Sequence, residues 1–562
     1  MAETTGVHRD EIGRLSEAVS DYLSGAMDPG EFRRRRLIYG IYPVRAGADR
    51  YLIRVRIPLG RPAPTHLIAL ADVAERFAST RSVHLTTRQD VHIYGIEIAR
   101  IPEVLTFLAE RGLTTREACG DTVRNIVVCP YAGIARGEVF DVAPYAEAMG
   151  RWLLRNPLGQ RLPRKFKISF EGCGPESHAG LGFHDVGVRA AAGPGGRRGF
   201  RVLLAGGLGA LPRPGIELDP FTPVRELAPT VEAVLRLFDR LGDRENRGRA
   251  RLKFVAEKMG ARAFREAVIA ERRLVAATAP GDRLTLPEED AGSNAPSTDR
   301  DDRFPEWPGA FRQRQQGRAA LPVRVPLADV SAGQLRRLAE LVARTDAELR
   351  LTPAQGIVLA NLAEDRVGEA AGMLRAAGLF PPAPVVLTRC AGTDTCTVGI
   401  TRVRALAVLL ERELAAQLAD ADGGLADITV KISGCANGCG HHLAADIGLQ
   451  GVAGNAGGRL APLYAIFLGG GIRPEGDVRL GAPIGRIPVR RVPEALRRTI
   501  GVVRAETREG ERPSETIARV GTAPFAGCLK DLVDEGGLAE EDFFDLGPPG
   551  PFPPARPGPK TR

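Results

Sequence analysis

At 562 residues, with 44% hydrophobic and 26% charged side chains, the chain is too long for one ordinary domain and too apolar to be disordered. A formal charge of +9 invites a nucleic-acid reading, but only Arg33 to Arg36 form a basic block, and aromatic residues, at 5%, do not alternate with it. The charge therefore points to small anions and acidic proteins as partners rather than to nucleic acid. No apolar run approaches the roughly 20 residues of a membrane span, and Met1 to Arg14 is polar, unlike a secretory signal. Eight unevenly placed cysteines form no disulfide framework, so a reducing, cytoplasmic setting is expected.

In chain order, Arg9 to Leu23 has helical spacing and Asp28-Pro-Gly reads as a turn, so 1–43 is an N-terminal segment. Tyr51 to Ile57 alternates as a strand and carries Arg54 and Arg56 on one face. Pro64 to Phe77 reads as a helix. Ser82 to Gly95 reads as a second strand and turn, and Ile101 to Arg111 as a second helix. This order suggests a ferredoxin-like half over 44–112. Basic positions then gather. Arg124 lies in Gly120-Asp-Thr-Val-Arg-Asn, and Lys165 and Lys167 lie two apart in Leu162-Pro-Arg-Lys-Phe-Lys-Ile, on one face of a strand.

The chain repeats itself. Leu321-Pro-Val-Arg-Val-Pro-Leu echoes Leu52-Ile-Arg-Val-Arg-Ile-Pro-Leu, and Glu348-Leu-Arg-Leu-Thr-Pro-Ala-Gln-Gly echoes Val83-His-Leu-Thr-Thr-Arg-Gln-Asp. Lys431-Ile-Ser-Gly-Cys435 matches Lys167-Ile-Ser with its following Cys173. Asp446-Ile-Gly repeats Asp185-Val-Gly, and Ile466-Phe-Leu-Gly-Gly-Gly repeats Leu203-Leu-Ala-Gly-Gly-Leu. The expected division is 113–282 as a domain of the first copy, an acidic, Ser- and Pro-containing linker over 283–317, a second half over 318–382, a second domain over 383–510, and a C-terminal extension over 511–562, of which Gly547 to Arg562 is Pro-rich and expected to be disordered. Within that extension, Thr516 to Leu532 and Glu540 to Leu546 are expected to pack on the body.

Four cysteines cluster in the second copy: Cys390 and Cys396 as C-x5-C, then 38 residues, then Cys435 and Cys439 as C-x3-C. Four thiolates without an acidic shell suit an iron–sulfur cluster or zinc, and five intervening residues are wide for a zinc knuckle. In the first copy, Cys173 is kept, Ser177 stands in place of Cys439, and Cys119-Gly-Asp-Thr-Val-Arg124 stands against the C-x5-C loop. Metal is thus expected from the second copy and substrate-facing cations from the first.

Ser-Gly-Cys-Ala-Asn-Gly-Cys within this spacing resembles the signature of the sirohaem-containing nitrite and sulfite reductases. The resemblance spans about residues 30 to 515. It implies an α+β fold: a duplicated sulfite-reductase-like body whose two ferredoxin-like halves form one domain, beside two sirohaem/iron–sulfur α/β domains. It implies a [4Fe–4S] cluster on Cys390, Cys396, Cys435 and Cys439, with Cys439 bridging to sirohaem iron. Arg54, Arg124, Lys165 and Lys167 match the family's cations around the open haem face. Thr86, Arg88, Gln89, His92, Arg247, Arg251, Lys253 and Asn437 fall in segments that contact the cofactor, His92 standing where the family has Gln. Tyr42 and Cys119 occupy positions that some relatives join through a thioether. The activity implied is six-electron reduction of sulfite to sulfide with electrons from ferredoxin. Nitrite reduction is the near alternative, and a precorrin-3B synthase-like oxygenase a distant one. No dinucleotide fingerprint or flavin domain is present in the sequence, so the donor is expected to be another protein.

Overall fold

The computed structural model describes residues 9–278 except 46, 48, 175 and 176; 303–379 except 305 and 308; 386–418; 428–548 except 474, 475 and 534–536; and the isolated positions 284, 286, 287, 425 and 552. Most of the acidic linker and the Pro-rich end lie outside the described residues.

The expected first helix spans Arg9–Leu23. Asp28 is more than a turn: its carboxylate accepts from Gly30 N and Glu31 N, at 2.8 and 3.1 Å, and caps a second helix, Pro29–Leu37. The ferredoxin-like half is a sheet in the order Ile41–Pro43, Arg50–Val55, Val91–Glu97, Ser82–Leu85, with helices Pro64–Phe77 and Ile101–Ala109 packed on it. The stretch Ser82 to Gly95 is thus two antiparallel strands and not one. Thr86 makes the reversal: its backbone N–H bonds to Asp90 O, and its hydroxyl accepts from Arg88 N and Asp90 N.

The second half repeats the arrangement, with strands Arg318–Val323, Ile357–Ala363 and Glu348–Leu351 and helices Ala332–Thr345 and Val367–Ala376. It begins before 318: Phe311–Arg312 pairs with Arg318–Val323, so the end of the expected linker belongs to the body. The halves interlock. Asp329–Ser331 of the second copy pairs with Ser82–Leu85 of the first. Leu67, Leu70, Leu335 and Leu338 join one apolar core across both.

The two larger sheets that remain share a topology. In the first copy, Val127–Val128, Ile168–Glu171 and Val186–Ala192 run parallel, and Arg198–Leu204 returns antiparallel. In the second, Val386–Arg389, Thr429–Ser433 and Ile447–Ala456 run parallel, followed by antiparallel Arg459–Leu468 and Ala482–Pro488. The expected C-terminal segments pack here: Ile517, Phe525, Leu529, Leu532 and Leu546 lie in this core. Among the described residues no helix is long and apolar enough to cross a membrane.

Strand register corrects the repeat. Ile168↔Val186 corresponds to Val430↔Ile447, and Val128↔Phe170 to Arg389↔Ile432. Lys167 therefore matches Thr429, not Lys431. Cys173 still matches Cys435, but Cys390 is matched by Cys129, one residue past the strand end, and not by Cys119. Sequence matching failed because the Lys-Ile-Ser likeness lies two residues out of structural register.

A reciprocal pair of glutamines joins the copies. Gln89 Nε2 donates to Leu351 O at 2.8 Å and to Val128 O at 2.9 Å, and its Oε1 accepts from Val128 N at 2.8 Å. Gln355 Nε2 donates to Leu85 O at 2.7 Å and to His84 Nε2 at 3.1 Å, and its Oε1 accepts from Arg389 N at 2.7 Å. Gln89→Leu would strand buried backbone groups at about 1–3 kcal/mol each. We expect each of Gln89→Leu and Gln355→Leu to destabilise the protein by roughly 3 kcal/mol, read as a lowered urea midpoint. An unmoved midpoint in both would contradict the clamp.

Candidate active site

The cysteines of the second copy end in loops that Gly residues let approach closely. A Cβ on Gly440 would lie 2.0 Å from Ile432 O, and one on Gly434 2.9 Å from a Val403 methyl. Cys390 N donates to Ile432 O at 3.0 Å, and Gly434 N donates to Cys390 Sγ at 3.1 Å. Burial pushes the Cys390 thiol up to about 12 and Cys435 to about 11; Asn437 N–H bonding pulls the latter back. No three of these four sulfurs lie within 4.8 Å of one another. A single tetrahedral zinc, with Zn–S of about 2.3 Å, would bring them closer than that. The wider spacing suits a polynuclear cluster.

The Cys435–Cys439 loop lies against the first copy. Thr87 Oγ1 donates to Cys439 O at 3.1 Å. A Cβ on Gly438 would lie 3.4 Å from Gly209 N. The exposed Cys439 thiol faces Arg54, Lys165 and Lys167 closely enough to favour their charged forms.

The four expected cations meet at this loop. Arg54 and Arg124 converge on one acceptor, Ala118 O, at 3.1 and 3.0 Å. Arg124 also donates to Gly120 O at 2.6 Å. Half-buried Lys165 has its ammonium pushed down to about 7 by burial and by Arg251, Arg124 and Arg164, with Cys439 opposing. Lys167 is pushed well below its usual value by burial, then by Arg88 and Lys165. Its backbone N–H donates to Asp185 Oδ2 at 2.8 Å, and Arg251 grips the same carboxylate at 2.9 and 3.0 Å. Arg56 pairs with buried Glu117, at 3.7 Å, just past the strand end at Val55, while still feeling Asp90 and Arg124.

The expected cofactor contacts divide. Arg88 is buried, its Nη1 has no hydrogen-bond partner, and burial with Arg124, Arg54 and Arg251 pushes it down to about 9. Arg251 faces the recess from its pair with Asp185. Asn437 sits on the cluster loop, exposed. Lys253 instead donates to the carbonyls of Leu208, at 3.2 Å, and Leu211. Arg247 is exposed and paired with Asp121 at 3.0 Å. Three of the expected contacts make bonds within the protein. Gln89 has both the donors and the oxygen of its amide used in the clamp. The Thr86 hydroxyl accepts two backbone bonds in its turn. His92 holds a cation rather than a cofactor: Arg54 Nε donates to its Nε2 at 2.8 Å, and its Nδ1 meets Tyr94 Oη at 3.0 Å.

Two residues escaped sequence reasoning. Asp90, fully buried with neither oxygen hydrogen-bonded, is the counter-charge to Arg54, Arg56, Arg88 and Arg124. His184 meets Arg88 Nη2 at 3.5 Å. Both adjoin residues that were singled out, but neither belongs to a spacing pattern. Tyr42 shares a hydrogen bond with buried Cys119, and Arg54 lies 5.4 Å over its ring.

The recess thus holds more buried cations than carboxylates, including the unpartnered Arg88 Nη1 and Arg124 Nε. Such an excess is costly unless an anion enters. A polycarboxylate tetrapyrrole and a small oxyanion both fit this donor set.

Two models of one family match the chain: the nitrite and sulphite reductase 4Fe-4S domain over 119–275 and 387–535, and the nitrite/sulfite reductase ferredoxin-like half domain over 42–111 and 311–377. A ferredoxin sulfite reductase of Mycolicibacterium paratuberculosis is 31% identical, covering 76% of this chain and 74% of its own. A ferredoxin–nitrite reductase of Synechococcus elongatus is 28% identical, covering 84% and 90%. The structure of the Mycobacterium tuberculosis NirA protein superposes with a TM-score of 0.76 at 26% identity, covering 89% of this chain and 92% of the other.

Protonating Lys165 in an empty recess costs stability. That penalty is complete below about 7 and fades as pH rises towards 10.5, the usual lysine value. A dianion offsets it only while the amine is charged. Sulfate remains a dianion throughout, so its stabilisation of the unloaded protein should be larger at pH 6 than at pH 9, measured by thermal shift. Lys165→Met should flatten the difference.

Proposed function

The chain belongs to the nitrite and sulfite reductase family, and within it we propose that this protein is an assimilatory, ferredoxin-dependent sulfite reductase. The family works with sirohaem and a [4Fe–4S] cluster. When bound, these groups supply the iron that receives the anion and the one-electron path to it. Cys390, Cys396, Cys435 and Cys439 would hold the cluster, and Arg88, Arg251 and Asn437 would meet the carboxylates.

The observation that carries the choice of substrate is the pair Lys165 and Lys167, both half-buried and both facing Cys439 beside Arg54 and Arg124. Sulfite is a compact dianion. A unit-charge contact at about 4 Å is worth roughly 4 kcal/mol at an effective dielectric near 20, before desolvation. Arg54 is held by His92 and Ala118 O, and Arg124 by Ala118 and Gly120 O, so neither needs reorganisation to meet oxygen. They keep their charge through turnover. Lys165, near 7, can give a proton to a departing oxygen and regain one from solvent. Reducing sulfite to sulfide consumes six electrons and releases three oxygens as water, so proton delivery recurs through the cycle.

Nitrite, with one charge, needs less compensation; it remains the second reading because ferredoxin–nitrite reductases match the chain at similar identity. Ferredoxin as donor is supported by the names of these relatives and by the +9 charge, which favours an acidic partner.

Steady-state rates with both anions on cofactor-loaded enzyme test the choice. We expect kcat/KM for sulfite to exceed that for nitrite, and Lys167→Asn to shift the ratio towards nitrite by roughly tenfold or more, the loss of one charged contact. A much higher nitrite value in the parent enzyme would overturn the reading. Cys439→Ser should remove cluster iron, the visible pigment bands and turnover together; survival of all three would refute the cluster assignment.

A further inference from the structure

We infer that the first copy carries a second metal site, a mononuclear zinc site formed by Cys129, Cys173, His178 and Glu171. Each offers one ligand atom, and these atoms lie within 4.8 Å of one another. Cys129 Sγ is 3.8 Å from Cys173 Sγ and 3.5 Å from His178 Nδ1. His178 Nδ1 is 3.7 Å from Glu171 Oε1. A tetrahedral ion with Zn–S of about 2.3 Å and Zn–N or Zn–O of about 2.0 Å places neighbouring ligand atoms about 3.3–3.8 Å apart. Two thiolates and an imidazole select zinc over calcium or magnesium.

The surroundings suit an ion. Cys129, Cys173 and Glu171 are 2%, 3% and 0% exposed, and His178 is half-buried. Tyr131 packs edge-on against the His178 ring, at 4.7 Å and 76°. Glu171 Oε1 accepts from Cys173 N at 3.2 Å and keeps a lone pair for a metal, while Oε2 accepts from Ala179 N at 3.0 Å, closing the loop that carries the ligands. Two thiolates and a carboxylate around a divalent ion leave one negative charge. Arg189, donating to Cys173 O at 2.7 Å and to Gly174 O, brings the compensating cation.

Position in the fold is the independent argument. Strand register makes Cys129 and Cys173 the counterparts of Cys390 and Cys435. The Gln89 oxygen bonds Val128 N just before Cys129, as the Gln355 oxygen bonds Arg389 N just before Cys390. The first copy thus keeps half of the cluster's thiols at the same strand ends. It closes the set with Glu171, at the end of the strand that follows Lys167, and with His178. Four nearby atoms suit one ion where the second copy's wider set suits a cluster. The ion would brace the far end of the strand that Lys165 and Lys167 lead into.

Metal analysis of the cluster-loaded enzyme, produced with zinc in the medium, tests this separately from substrate choice. We expect about one zinc per chain besides iron, with X-ray absorption at the zinc edge giving two sulfur neighbours at about 2.3 Å and two nitrogen or oxygen neighbours at about 2.0 Å. Cys129→Ser and Cys173→Ser should lose most of the zinc while cluster iron and pigment bands remain. Should these fail to fold, His178→Ala, altering the half-buried ligand, should surrender zinc to a competing chelator faster than the parent. Iron-replete enzyme that contains no zinc and takes up none from added zinc chloride would overturn the proposal. So would zinc retained unchanged in all three variants, or a Cys129–Cys173 disulfide in the peptide map of the enzyme as isolated.

Discussion

Two glutamine side chains hold the copies in the one register at which a cysteine loop of the second faces the cations of the first. Gln89 and Gln355 sit at equivalent turns, each with positive φ, and each reaches across the pseudo-twofold to a carbonyl of the other copy. Each also fixes the strand that leads into a cysteine. Asp329 adds a charged knot, joining His84 of the first copy to Arg389 of the second, at 2.9 Å to each. Arg389 directly precedes Cys390. Docking of the copies and placement of Cys390 thus depend on the same bonds. A neutral hydrogen bond is worth only about 1 kcal/mol net, but these groups are buried, so misregister would leave them unsatisfied at a greater cost. The clamp therefore acts more through penalties on wrong arrangements than through attraction in the right one.

Cationic excess is the second constraint. Arg54, Arg88, Arg124, Lys165 and Lys167 share a recess in which Asp90 and Asp185 are the buried acids close to them. Burial first, and repulsion from neighbouring cations second, push both lysines and Arg88 down. The protein limits the damage by tying the arginines to carbonyls and to His92 before any ligand arrives. An anion entering the recess gains from that repulsion being relieved, and the lysines become the adjustable charges of the site.

Much of this was legible in the sequence, and what was not has identifiable physical causes. Cys390, Cys396, Cys435 and Cys439 stood out because four thiols close together in paired loops are rare and their chemistry permits few substitutes. The cation motifs stood out through a family likeness covering most of the chain. For Gln89, Thr86 and His92 the sequence names a polar side chain without saying what it bonds. In the structure the Gln89 amide is taken by backbone, the Thr86 oxygen accepts two backbone bonds, and His92 meets Arg54 and Tyr94. Cys129 was missed for a different reason. Equivalence between the copies is set by strand pairing, and the Lys-Ile-Ser likeness drew the alignment two residues out of register. Asp90 had no pattern at all; only burial without a partner marks it.

The duplication also shows how the side chain at one position can vary without disturbing the strand beside it. Register pairs Lys167 with Thr429, and the carboxylates that follow, Asp185 and Asp446, bond the backbone N–H of Lys167 and of Thr429, each at 2.8 Å. The main chain at this position is therefore fixed in both copies by the same device, whatever side chain it carries. In the first copy Arg251 fixes the carboxylate in turn. A residue whose backbone is held independently of its side chain can change charge or length without moving the strand that begins beside it. Lys167 is such a residue, and the cations that must never move, Arg54 and Arg124, are held by groups that it does not touch.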